Sequence, residues 1–218
     1  MAKLCLILGD QLDLDISSLE NFDKENDWVV MMEIKPETNY VLHHCRKMLF
    51  LFSAMRHFNQ DLIEHAYKTI YIPLDAPNNL HNFVENLRSI IHEKNIDTLL
   101  VCEAGEWRLQ AEITTWEESL ELPVIISEDR RFFISRSDFA SFAKDRKSLL
   151  MEDFYHMMRK RFAYLMDEKG PLGGKWNYDK NNRSKYDDKI KIPHRLKFEP
   201  DQPTKNVYEL IKKQRGMP

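Results

Sequence analysis

The sequence predicts an α/β fold: a doubly wound, five-stranded parallel sheet in the order 3-2-1-4-5, followed by a helical and then extended C-terminal stretch. Three observations predict it. Short, continuous apolar runs bounded by polar turns recur through the first 130 residues, as strands covered on both faces require. Helical stretches long enough for crossover connections separate them. After residue 130 the strand–helix alternation stops.

The strands are read at 3–8 (KLCLIL), 28–32 (WVVMM), 68–72 (KTIYI), 97–102 (DTLLVC) and 122–126 (LPVII). The longest helix is expected at about 40–66, with Cys45, Met48, Leu49, Phe52, Met55, Leu62 and Ile63 on one stripe. A second is expected at 79–94, capped by Asn78 or Asn79, and a third at 107–120 (WRLQAEITTWEESL). Beyond the sheet, 136–144 reads as a short helix. Residues 149–167 read as a longer one, with Met151, Phe154, Tyr155, Met158, Phe162, Leu165 and Met166 at spacings of three and four. From Gly170 to Pro203 periodicity is lost, as in a linker running over a surface. A last helix, 204–214, is expected to be capped by Thr204 and to stop at Gly216, and its Val207, Leu210 and Ile211 have no evident cover. The expected organisation is therefore an α/β domain over 1–130, helices packed on it over 131–169, and a linker over 170–218.

Composition narrows the class. In 218 residues, 43% hydrophobic and 31% charged is the balance of a folded globular chain, and no run of eighteen apolar residues exists to span a bilayer. MAKLCLILGDQ lacks the cleavage pattern of a secretory leader. Cys5, Cys45 and Cys102 are isolated in apolar stretches, which is neither a disulfide framework nor a metal motif, and fits a reducing cytoplasm. A net charge of −3 gives no global attraction to nucleic acid.

In open parallel sheets ligands bind outside the carboxyl ends of the strands, where strand order reverses. The turns in question are Gly9-Asp10-Gln11-Leu12, Glu33-Ile34-Lys35-Pro36-Glu37, Asp75, Glu103-Ala104-Gly105-Glu106-Trp107-Arg108 and Glu128-Asp129-Arg130-Arg131; the first and fourth flank the expected crevice. Gly9 admits a ligand to the backbone, or relieves a tight turn that Asp10 caps. His43, His44 and Lys47 form a polar wall, or the solvated start of a helix. Glu103, Glu106 and Arg108 form a ligand rim, or a charge-paired helix start. No G-x-G-x-x-G or G-x-x-x-x-G-K-[ST] occurs, which counts against a dinucleotide or phosphate-loop enzyme. Cys102 ends a strand and reads as core. The segment Gly173–Asp179 with Asn182 and Arg183 mixes aromatics and basics, and reads as a glycine-hinged linker pinned by Trp176 and Tyr178. The cluster Arg159, Lys160, Arg161 reads as a solvated face.

Several strings in order carry a resemblance: LILGDQL at 6–12, YVLHHCRKMLFLFSAMRHF at 40–58, EAGEWR at 103–108, DRRFF at 129–133, RKSLLMEDFYHMMR at 146–159 and GGKWNYDKNNR at 173–183. Together they resemble the photolyase-related proteins, the bacterial photolyases and cryptochromes that carry an iron–sulfur cluster. The likeness runs from residue 3 to about 212 and corresponds to that family's N-terminal half. It implies a Rossmann-like domain holding a lumazine-type antenna chromophore in the crevice. The implied neighbourhood is Gly9, Asp10, Gln11, Leu12, Glu33, Glu37, Tyr40, His43, His44 and Leu51, with Lys47 and Glu103 as further members. Acidic side chains would accept hydrogen bonds from ribityl hydroxyls or ring nitrogens, and Leu51 would wall the rings. One departure is Cys45, where the helix motif usually has a basic residue.

The resemblance also implies that FAD, the iron–sulfur cluster and the tryptophan relay belong to a C-terminal half beyond Pro218. The expected function is thus an antenna-binding domain tied to light-driven DNA repair or blue-light sensing. The carbon–carbon lyase activity, and any DNA contact, would reside only in the complete protein. The implied partner is the FAD-binding domain, either in the rest of the same protein or on a partner chain, with self-association through the last helix as a further expectation. The rival readings are a ligand-free interaction scaffold and a small nucleotide-binding α/β enzyme using Asp10 and the Glu103 turn.

Overall fold

The computed structural model describes residues 2–183, 185, 187 and 189–215. Five parallel strands, β1 (Ala2–Leu6), β2 (Trp28–Met32), β3 (Thr69–Ile72), β4 (Ile96–Cys102) and β5 (Val124–Ser127), pair in the order β3-β2-β1-β4-β5. This is the expected doubly wound order. Side chains alternate between the faces of a strand, and the two cores follow that parity. Leu4, Leu6, Val30, Met32, Leu99 and Val101 face one core, while Cys5, Val29, Met31, Leu100 and Cys102 face the other.

The first core is covered by α3 (Phe83–Lys94), α4 (Trp107–Ile113) and α5 (Trp116–Leu120). The 107–120 stretch is two helices because Thr114 and Thr115 turn their hydroxyls back onto the carbonyls of Ala111 (2.7 Å) and Glu112 (2.8 Å), competing with the helical ladder. Helix α3 starts later than expected: Asn82, not Asn78 or Asn79, accepts from the Glu85 amide at 3.0 Å. Asn79 is buried instead, and its amide donates to the carbonyls of Glu33 (2.7 Å) and Pro73 (2.9 Å).

The second core is covered by α2 (Cys45–Glu64), with Met48, Phe52, Met55, Phe58 and Leu62 buried. Ile63, read into the apolar stripe, is 55% exposed. The helix begins at Cys45 and not near 40, because His44 is extended (ψ 138°) and its Nδ1 accepts from the Arg46 amide at 3.1 Å. A separate turn, α1 (Pro36–Asn39), precedes it, with Pro36 at the first position where the ring's fixed φ suits a helix start.

Two compact units result: one takes in the chain up to Arg131 together with the segment from Glu199 on, and the other is Phe132–Phe198. Helix α8 (Gln202–Arg215) packs along α2 within the first unit, burying Val207, Leu210 and Ile211. The stripe expected to lack cover is therefore covered by this chain. Its cap is Asp201, which accepts from the Thr204 amide at 3.1 Å, and not Thr204. The expected stop at Gly216 lies outside the described residues. Asp201 also meets His57 Nε2 of α2 at 2.5 Å. The Thr204 hydrogen bond and then His57 hold the Asp201 carboxyl down at about 2.

In the Phe132–Phe198 unit, α6 (Arg136–Ala143) is capped by Ser135, whose Oγ accepts from the Asp138 amide at 2.9 Å. Helix α7 (Met151–Phe162) stops short of the expected 167 at Ala163, which is left-handed (φ 54°). A two-residue hairpin, β6 (Met166–Asp167) with β7 (Gly170–Pro171), follows. Arg159 is buried, not solvated. Its guanidinium donates to the Tyr164 carbonyl (3.0 Å), the Leu165 carbonyl, Tyr155 Oη (3.2 Å) and the Trp176 carbonyl (3.3 Å), tying the post-helical turn to the segment carrying Trp176. Trp176 lies 4.1 Å from the His156 ring, so α7 is the surface that pins it. Among the described residues no helix is long and apolar enough to cross a membrane.

Candidate functional site

The crevice at the carboxyl ends of β1, β2 and β4 is a real cavity of ≈ 250 Å³. Its base is formed by Ile7, Leu8, Gly9 and Asp10 after β1, and by Met32 and Ile34 at the end of β2. Apolar walls come from Met48, Leu51, Phe52 and Met55 of α2, with Phe83 and Leu109 from α3 and α4. Gly9 lets α2 approach closely. A Cβ there would sit 3.0 Å from Met55 Sδ and 3.3 Å from Leu51 Cδ1. At Gly105 a Cβ would meet Asp10 Oδ2 at 3.1 Å, so this carboxylate comes up against the β4 turn.

The polar rim is built on Arg108. Its Nε donates to Glu106 Oε1 (2.9 Å), and its Nη2 donates to Glu37 Oε1 (2.8 Å) and Glu106 Oε2 (3.2 Å), bridging α1 to α4. These carboxylates, Glu106 first, hold the guanidinium above its ordinary pKa. The same guanidinium lies 4.7 Å from the Tyr40 ring centroid, and Tyr40 meets His43 edge to face at 5.1 Å. Lys47 Nζ lies 3.2 Å from His43 Nδ1, so a hydrogen bond joins the two residues.

Of the residues singled out from the sequence, Gly9, Asp10, Glu37, Tyr40, His43, Lys47 and Leu51 line this cavity together. The others serve the frame. Gln11 is fully buried. Its amide donates to the carbonyls of Cys102 (3.3 Å) and Glu103 (3.0 Å), clamping the β1 turn to the end of β4. Glu33 is buried, and its carboxylate accepts from Arg56 Nε (2.8 Å) and Nη2 (3.0 Å), Tyr71 Oη (2.6 Å) and the Leu74 amide (2.9 Å). Burial, then the charge of Glu33, pushes the Tyr71 hydroxyl well above its usual pKa. Leu12 packs against the core, His44 caps α2, and Glu103 accepts from the Asp129 amide at 3.3 Å.

Two groups of lining residues, one on α2 and one on α3, lay outside the residues read from the sequence as ligand neighbours. Met48, Phe52 and Met55 read as core by spacing, although their offsets from Leu51 put them on its side of the helix. Phe83 left no local signal, because only the sheet order brings α3 to the β2 end. Glu106 and Arg108 had been named as a rim, but nothing in the spacing joined them to Glu37.

Burial pushes the Cys5 thiol up to about 12 and raises that of Cys102, so neither supplies a thiolate nucleophile at neutral pH. Among the described residues no group of three or more His, Cys, Asp or Glu could hold a metal ion. The cavity is an apolar slot with hydrogen-bonding groups at its rim.

A family profile described as deoxyribodipyrimidine photo-lyase-related protein matches residues 5–217. The chain belongs to this family. This photolyase-related chain is 38% identical over 213 residues to a (6-4) photolyase of Agrobacterium fabrum (strain C58 / ATCC 33970), covering 98% of this chain and 42% of that protein. It thus spans less than half the length of that relative. It is also 24% identical over 201 residues to an uncharacterized protein of Acanthamoeba polyphaga mimivirus, covering 88% of this chain and 99% of that one.

Proposed function

We propose that this photolyase-related chain is an antenna domain. It binds a lumazine-type chromophore in the crevice and packs against a FAD-binding domain, which performs light-driven repair or sensing. The observation that carries the reading is the cavity of ≈ 250 Å³ with aliphatic and aromatic walls and the Glu37–Arg108–Glu106 rim. Leu51, Met55 and Phe83 suit the faces of a bicyclic ring. Asp10, Glu37 and Glu106 suit hydroxyl donors on a ribityl tail, because ionised carboxylates only accept. When bound, such a chromophore supplies near-ultraviolet and blue absorption; the chain's part is to orient it and keep it dry. The packing half of the reading is supported by the Phe132–Phe198 unit, where Phe132, Phe133, Met151, Tyr155 and Leu172 border a groove of ≈ 840 Å³ with exposed apolar side chains.

The test is a titration of the purified chain with a ribityllumazine, followed by its fluorescence. Saturable quenching is expected, with affinity at least about tenfold weaker in Glu37→Ala, the loss of one charge-assisted hydrogen bond and of the rim that Arg108 bridges. Absence of saturable quenching, or an unchanged affinity in the variant, refutes the antenna role.

A further inference from the structure

We propose that the crevice selects its ligand by charge, accepting an uncharged ribityl heterocycle and rejecting the same molecule with a terminal phosphate. This inference rests on the ligand-binding reading above and narrows it.

The charges that face the cavity come from four elements. Asp10 follows β1, Glu37 lies on α1, Lys47 lies on α2 beside His43, and Glu106 precedes α4. Three carboxylates thus line the site, against Lys47 as the one ammonium among its described lining residues. The cations beside the crevice already hold hydrogen-bond partners. Arg108 presents its Nε and Nη2 to Glu106 and Glu37, so much of its charge is already balanced by these two carboxylates. Arg131 holds Asp129 through Nε (2.9 Å) and Nη2 (2.7 Å), and its Nη1 donates to the Asp10 carbonyl. Lys47 shares a hydrogen bond with His43.

The sequence carries no glycine-rich phosphate loop. Sites that hold phosphate aim several backbone N–H groups, or a glycine-rich turn, at the anion. Here the β1 turn instead carries Asp10, whose Oδ2 would lie 3.1 Å from a Cβ at Gly105. A dianion entering this slot meets like charge in surroundings of reduced dielectric, where repulsion is stronger than in water. A hydroxyl tail meets acceptors matched to its donors.

The experiment compares a ribityllumazine with its terminal phosphate ester on the full chain, by fluorescence titration, in the unaltered protein and in Asp10→Asn and Glu106→Gln. The phosphate ester is expected to bind at least about tenfold more weakly, and either conservative amide should narrow that ratio to about threefold or less. Circular dichroism checks that both variants fold; a ratio that narrows in even one folded variant supports the proposal. Equal affinities for the two ligands, or a ratio unmoved in both folded variants, overturn charge selection while leaving the binding reading intact. Binding of neither ligand overturns the binding reading and this inference with it.

Discussion

Helices α2 and α7 carry much the same kind of sequence: methionines and phenylalanines at spacings of three and four, with basic residues between. In α2 that stripe is buried, with Met48, Phe52 and Met55 no more than 5% exposed. In α7 it is open, with Met151 76% exposed and Tyr155 42%. The difference is the neighbour. A parallel sheet and α8 cover the first stripe, while within the Phe132–Phe198 unit the second meets α6, through Phe139 and Phe142 on Phe154, and the Trp176 segment, through His156, which leaves Met151 and Tyr155 exposed. Helical periodicity reports that a face is apolar; it does not report that anything covers it.

Three changes test how far this contrast extends. The largest effect is expected for Trp116→Ala, which empties a fully buried site beside Phe83; it should cost about 3–5 kcal/mol, read as a fall in the urea midpoint. Phe133→Ala, at 68% exposure in the other unit, should stay within about 0.5 kcal/mol. Comparable losses for the two would dissolve the distinction between the units. Next comes Arg159→Ala. It leaves the Tyr164 and Leu165 carbonyls without their charged donor, at about 2–3 kcal/mol, felt locally. Trp176 fluorescence and amide exchange near 163–166 should change while the β1–β5 amides stay protected.

The smallest effect follows pH. The Asp201 carboxyl is depressed to about 2, so its contribution is present in full above the ordinary carboxyl pKa of about 3.9 and is lost as pH falls from there through about 2. The Val207 methyl resonances, which report the seating of α8 on α2, should begin to shift over that window. In Asp201→Asn the shift should be absent.

How much was legible in the sequence follows the range of the interactions concerned. Strand positions and order were legible because burial on both faces leaves uninterrupted apolar runs, and the turns after β1 and β4 follow from topology. The α2 start was not, since 40–44 continues the helical pattern and only His44's side chain, turned onto the Arg46 amide, breaks it. Glu33 read as a ligand acceptor because a carboxylate at a strand end is usually free. Its partners Arg56 and Tyr71 lie 23 and 38 residues away, and no local pattern links them. The covering of Val207, Leu210 and Ile211 was hidden for the same reason, because α8 meets α2 across well over a hundred residues of chain.

The return of α8 to the α/β unit makes Phe132–Phe198 an insertion tethered at both ends, not a tail. A protease that cuts once in the irregular stretch before Glu199 would therefore sever the polypeptide without releasing its terminal piece. The α8 fragment would stay seated through Val207, Leu210 and Ile211, and the nicked protein would elute as a single species until a denaturant parted the two chains.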